Sequence, residues 1–152
     1  MRRADLRARA MPDPLRRSRF LVLLGSVLLL VSGFLPWWRT GGDTVGGVAV
    51  PAASGIGLEG PGIVVFGVAI VTLIVLDIGY MRGRWGFLLD TPWVYVALGV
   101  VAAAAVGFRG WELWSVGYLP LPDRSPGLAA AVVGAAFILY GGGTGIGAPR
   151  RI

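Results

Sequence analysis

One ionisable side chain, Asp77, falls inside the long apolar stretches of this chain, and it is the place where residue type could move a proton or hold a cation. A carboxylate in an apolar medium is costly unless it is partnered. Counted back from Tyr80, Asp77 stands about one helical turn from the end of its segment, within reach of Arg82, Arg84 or lipid headgroups. Three roles are open to it: an ion pair or helix-end anchor, which its depth favours, a proton or cation site, and a charged contact to another subunit. Elsewhere the catalytic alphabet is short. The 152 residues include no His, Cys, Lys, Asn or Gln, so all 14 basic residues are Arg. This removes imidazole acid–base chemistry, haem ligation through His, thiolate and zinc sites, disulfides and Schiff bases. The carboxylates Asp43, Glu59, Glu112 and Asp123 are scattered over two connecting segments without a His, which is the pattern of solvated loop charges. The glycine string from Gly141 to Gly147 lacks the preceding strand and the Lys of a phosphate loop; it is expected to fray a helix end or permit a close helix crossing. No catalytic residues, no cofactor and no metal are expected.

The elements that must position Asp77 follow from composition. Hydrophobic residues make up 55% of the chain and charged ones 14%, with a mean hydropathy of +0.73. Four stretches of 17 to 19 residues, 20–36, 62–80, 92–108 and 127–143, are almost purely apolar. At about 1.5 Å per residue each reaches close to the roughly 30 Å of a bilayer's hydrocarbon core. The net charge of +6 could suggest a nucleic-acid binder, but its distribution argues against one. Seven Arg lie in the first nineteen residues, two (Arg82, Arg84) between the second and third stretches and two (Arg150, Arg151) at the end, whereas the other side holds three, Arg39, Arg109 and Arg124. Since positively charged short loops resist translocation, the sequence predicts an all-α polytopic membrane protein of four transmembrane helices with both termini cytoplasmic. Residues 1–19 form a basic cytoplasmic arm, 20–147 the membrane domain and 148–152 a short basic tail. The apolar run from Phe20 continues past Val31-Ser32-Gly33 into Pro36-Trp37-Trp38, as in an uncleaved span rather than a signal peptide.

All six Trp fall at the predicted boundaries: Trp37 and Trp38 end span 1, Trp85 sits in the cytoplasmic loop, Trp93 opens span 3, and Trp111 and Trp114 follow it. They are expected to be interfacial anchors. With Tyr118, the last two share the face of a short helix lying in the outer interface, ended by Pro120 and Pro122. Thr44 to Ala49 has the form of a hairpin about Gly46-Gly47. Small residues recur at helical spacing in span 3 (Gly99, Ala103, Gly107) and span 4 (Ala131, Gly134, Ala135), which predicts that spans 3 and 4 form the tight pair. Span 2, rich in Val and Ile, is expected to face lipid or a partner over most of its circumference. Gly33-Phe34 with Trp37 is echoed by Gly107-Phe108 with Trp111 at an offset of 74, which would make two helical hairpins in one orientation.

The run from Phe20 to Leu35-Pro36-Trp37-Trp38, then a Gly-rich outer segment and three further spans, resembles the small four-helix membrane proteins of high-GC bacteria. The tryptophan-operon-associated transmembrane proteins are similar in the Trp-Trp end of their first helix. The resemblance brings no catalytic residues with it and implies a bacterial plasma membrane. The expected function is a non-catalytic accessory or scaffold subunit of a larger membrane assembly, with the bilayer and other subunits, or copies of itself, as partners and no nucleic acid. The alternative is a small transporter or channel component using Asp77.

Overall fold

A computed structural model of the chain describes residues 14–41, 44–45, 47–49, 51–80, 91–118 and 124–146. Four helices dominate: α1 (Pro14–Ser32), α2 (Gly62–Tyr80), α3 (Pro92–Ser115) and α4 (Pro126–Ile146). Two of them, α3 and α4, are long and apolar enough to cross a membrane. Between α1 and α2 lie β1 (Pro36–Thr40), β2 (Thr44–Val45), β3 (Val48–Ala49) and β4 (Ala53–Ile56), so the fold is mostly helical with two small antiparallel sheets: the expected hairpin β2–β3, and the unexpected pair β1–β4, which the all-α expectation left out. The reason is local. Pro36 cannot continue a helix and disfavours helical backbone at Leu35 before it, and i→i−3 bonds from Gly33, Phe34 and Leu35 close the last turn of α1.

Helix bounds move from their expected places, and the first helix ends at Ser32, short of the expected Pro36. α1 starts at Pro14, inside the stretch read as an arm, because Pro is pre-organised for the first helical position. α3 runs unbroken to Ser115, so Trp111 and Trp114 ride on span 3 itself and not on a separate interfacial helix. α4 stays helical through Gly141, Gly142 and Gly143 to Ile146 instead of fraying. Gly141 and Gly142 are held by packing: a Cβ on Gly141 would lie 2.8 Å from Val22, and one on Gly142 2.9 Å from the main chain of Val96.

Each helix neighbours the next in sequence, and α4 closes the ring on α1. Gly141 of α4 lies against Ser18 and Val22 near the start of α1, while Gly127 lies against Leu35 and Trp37 just beyond its end, so the two helices are antiparallel. Gly99 against Leu139 and Gly145 against Pro92 make α3 and α4 antiparallel as well, and Phe34 meets Phe66 edge-on across α1 and α2 with ring centroids 5.7 Å apart. Directions therefore alternate. The start of α1 and the end of α4 share one end of the bundle, and the sheets cap the other.

The α1–α4 pair has the most extensive contact, which corrects the expected primacy of spans 3 and 4. Buried Ser18, Val22, Gly25, Leu29 and Ser32 face buried Gly127, Ala131, Gly134, Ile138, Gly141 and Gly145, both series at alternating spacings of four and three. That period of 3.5 keeps one seam in register along both helices. Gly25 and Gly134 oppose each other so closely that a Cβ on Gly25 would stand 2.6 Å from the Gly134 carbonyl oxygen. α3 carries the same pattern in Tyr95, Gly99, Ala102, Val106 and Leu113, all buried. Ala103 is only partly buried, and Gly107 faces open space with no atom within 4 Å of a Cβ built on it. The buried hydroxyls of Ser26, Ser32 and Thr72 donate to carbonyls of their own helices, at 2.8, 2.6 and 2.7 Å. Ser18 donates across the seam to the Gly141 carbonyl at 2.5 Å. α2 buries Val65, Val68, Ala69, Thr72 and Val75, so one face packs inward and the opposite one, Ile63, Ile70 and Ile74, is exposed.

Candidate functional site

Asp77 lies on that outward face of α2, exposed and in line with Ile70 and Ile74. It has no hydrogen-bond or ion-pair partner among the described residues, and Arg82 and Arg84 lie outside them. Fifteen residues along α2 from Gly62, it is about 22 Å from the sheet end.

Polar side chains converge instead at the sheet end, where β1 meets the last turns of α3. The bulge in the β1–β4 pairing leaves Trp37 between the paired residues Pro36 and Trp38 and turns its indole into the bundle. Trp37 is 1% exposed, its Nε1 donates to the Ser32 carbonyl at 2.8 Å, and Gly57 and Gly127 supply the space it fills. It is thus a core wedge and not the interfacial anchor expected. Trp38 is half-buried against Gly55, whereas Trp93, Trp111 and Trp114 are exposed on the helices, and Trp85 lies outside the described residues.

α3 ends in a Schellman motif. Gly117, at φ +80, donates to the Trp114 carbonyl at 2.9 Å, and Tyr118 donates to the Leu113 carbonyl at 3.0 Å. The reversal brings Tyr118 back beside Leu113 and aims its hydroxyl at β1. There the N–H of Arg39 donates to it at 2.9 Å and the Ser125 hydroxyl at 3.3 Å, while its own proton is shared between the carbonyls of Arg39 (3.0 Å) and Arg124 (3.2 Å). One phenol therefore ties the first strand to the start of α4. Tyr118→Phe leaves two donors without that acceptor and is expected to lower stability by about 1 kcal/mol, read as a drop in detergent-solubilised melting temperature with the helical content unchanged.

Beside this latch a groove of about 470 Å³ opens between β1 and α3, walled by Trp38, Thr40, Leu113, Val116, Gly117 and Tyr118. Its charged members are Arg109 and Glu112, whose Nη1 and Oε2 stand 2.5 Å apart. The Arg109 side chain is 15% exposed and that of Glu112 48%. Glu59 is exposed, and Asp43 and Asp123 lie outside the described residues. Sequence reasoning counted Arg109 as topology and Glu112 as a loop charge; the missed signal is that Arg109 continues the spacing Tyr95, Gly99, Ala102, Val106 toward Leu113, which puts it on the inward face. The groove offers one cation, one anion, the Thr40 hydroxyl and two aromatic rings. No His, Cys, Asp and Glu cluster able to hold a metal occurs among the described residues. No family model, curated protein or solved structure matches the chain.

Proposed function

We propose that the chain is a non-catalytic, four-span protein of a bacterial plasma membrane, with both termini cytoplasmic, serving as an accessory or scaffold subunit of a larger membrane assembly. One observation carries the reading: all four helices carry large apolar side chains on their outward faces as well as inward. Phe20, Leu23 and Val27 on α1, Ile63, Ile70 and Ile74 on α2, Val100, Val101 and Phe108 on α3, and Val132 and Val133 on α4 are all exposed. A bundle in water presents polar residues there, since each large apolar side chain left in water forgoes about 1.5–3 kcal/mol. Lipid or neighbouring helices remove that cost. The inward faces supply close small-residue contact, which holds helices together where solvent gives no hydrophobic incentive.

The alternating helix directions and the Arg distribution support this topology. Arg16, Arg17 and Arg19 lie at the start of α1, the sequence segments that adjoin that end of the bundle carry eight more Arg, and Arg39, Arg109 and Arg124 lie at the opposite end. The resemblance to small four-helix bacterial membrane proteins belongs to this proposal. A transporter using Asp77 has less support, because Asp77 faces outward with Ile74 and the inward hydroxyls of Ser26, Ser32 and Thr72 are satisfied by their own helices. Purification of the chain from native membranes in mild detergent is the test. A stable complex with other polypeptides is expected; a lone homo-oligomer counts against the subunit reading.

A further inference from the structure

We propose that the groove at the sheet end binds a zwitterionic phosphodiester headgroup bearing a primary ammonium, its phosphate on Arg109 and its ammonium on Glu112. The inference rests on the membrane reading above for the source of the ligand, and on the groove alone for its chemistry. Arg109 occupies the position between Val106 and Leu113 in the buried series that begins Tyr95, Gly99 and Ala102. Its side chain is therefore held inward, 15% exposed, and among the described residues no other charged side chain lies on an inward helix face. A guanidinium has five N–H donors in a planar fork. Among the described residues only Glu112 accepts from it, through Oε2. The remaining fork is free for a phosphate, the group it matches best.

Glu112 stands at the rim, half exposed, with Oε1 unused by any described residue. It is the acceptor for a cation that follows the phosphate by two carbons. Trp38 and Tyr118 line the same groove and add aromatic surface that attracts an ammonium. The volume of about 470 Å³ lies in the range of small-molecule sites. Position agrees as well. Trp111 and Trp114, 72% and 61% exposed on the other side of the same helical turns, mark the depth of an aromatic belt, which is where lipid headgroups sit. A surface ion pair one turn apart on a helix contributes only tenths of a kcal/mol; that role requires neither the inward position nor the groove.

The recognition is specific. A choline headgroup has no N–H for Glu112, and a glycerol headgroup has no cation. The chain is reconstituted into nanodiscs of phosphatidylglycerol alone or mixed equally with phosphatidylethanolamine or phosphatidylcholine, and lipid retained on release is read by native mass spectrometry. One ethanolamine lipid per chain is expected, at least tenfold over choline lipid. Glu112→Gln is expected to erase that preference while leaving phosphate-dependent retention, and Arg109→Gln to reduce retention of every phospholipid about tenfold, both with an unchanged melting temperature. Equal retention of ethanolamine and choline lipids by the unmodified chain, or an ethanolamine preference that survives Glu112→Gln, overturns the proposal. Added glycerophosphoethanolamine separates the sources: competition by the soluble headgroup at millimolar concentration assigns the site to a free ligand, and none assigns it to the bilayer. Should the chain fractionate away from membranes, the reading under Proposed function fails by itself. Titration with glycerophosphoethanolamine then decides the site, saturable binding lost in Glu112→Gln supporting it and no binding overturning it.

Discussion

Gly25→Leu is expected to leave little folded protein. The Cβ alone would stand 2.6 Å from the Gly134 carbonyl oxygen and 3.0 Å from the Ile138 nitrogen, both main-chain atoms that no rotamer change can move. Relief requires α1 and α4 to separate, and their seam repeats on both sides of the contact: Gly134 is equally tight against the Gly25 carbonyl at 2.8 Å, and Gly141 against Ser18 and Val22. Separation also breaks the bond from Ser18 to the Gly141 carbonyl. Overpacking a close-packed interior costs about 1–3 kcal/mol, and a four-carbon side chain here belongs at or above the upper end. The expected readout is a collapse of the monodisperse peak in detergent size-exclusion and a large fall in melting temperature. Gly107→Leu is the matched control: it is on an exposed face with no atom within 4 Å of its Cβ and should melt like the unmodified chain. Equal behaviour of the two variants would remove the α1–α4 seam as the organising contact.

Trp37→Ala is the second large effect, about 3–5 kcal/mol from the transfer and cavity costs of deleting a buried Trp. The indole fills the junction of three elements: the end of α1 through Ser32, the turn at Gly57 before α2, and the start of α4 at Gly127. A Cβ on Gly57 would come within 2.1 Å of its Nε1, so glycine there exists to admit the ring. Trp37→Phe retains much of the volume but loses the donor to the Ser32 carbonyl, and an intermediate loss of about 1–2 kcal/mol is expected, the cost of one unsatisfied buried acceptor plus a small void. Trp114→Ala, at an exposed position, should change the melting temperature little. Thermal melts of the three variants in one detergent order them, and parity of Trp37→Ala with Trp114→Ala would contradict the wedge.

The difference between these two Trp residues shows what sequence could reveal. Four helices were legible because apolar runs of helical length leave no other economical way to satisfy their backbone, and α2 has the bounds its composition set, Gly62–Tyr80. The hairpin at Thr44–Ala49 was legible from two apolar pairs about glycine. Trp37 was not, because its burial depends on a bulge that reverses which neighbour faces the bundle, and a one-residue shift in a strand moves a side chain to the other face. The α1–α4 pairing was hidden for a related reason. In α4 the four-residue steps Gly127, Ala131 and Ala135 stand out, but the seam alternates four and three through Gly134, Ile138 and Gly141, and its partner stripe mixes Ser, Val, Gly and Leu. Arg109 was legible as a charge in a predicted outer segment; only the unbroken length of α3 puts it on the inward series and beside Trp38.

The proposed topology has four membrane crossings with the sheet end outside, and the absence of Cys from the chain makes it directly measurable. Single cysteines are placed at Val48, exposed in β3, and at Ala4 and Ala148 in the arm and tail. Intact cells are treated with a membrane-impermeant maleimide, and the labelling is repeated after permeabilisation. Val48→Cys is expected to react in intact cells, and Ala4→Cys and Ala148→Cys only once the membrane is opened. Labelling of Val48→Cys only after permeabilisation, or of either terminal cysteine in intact cells, would contradict the topology.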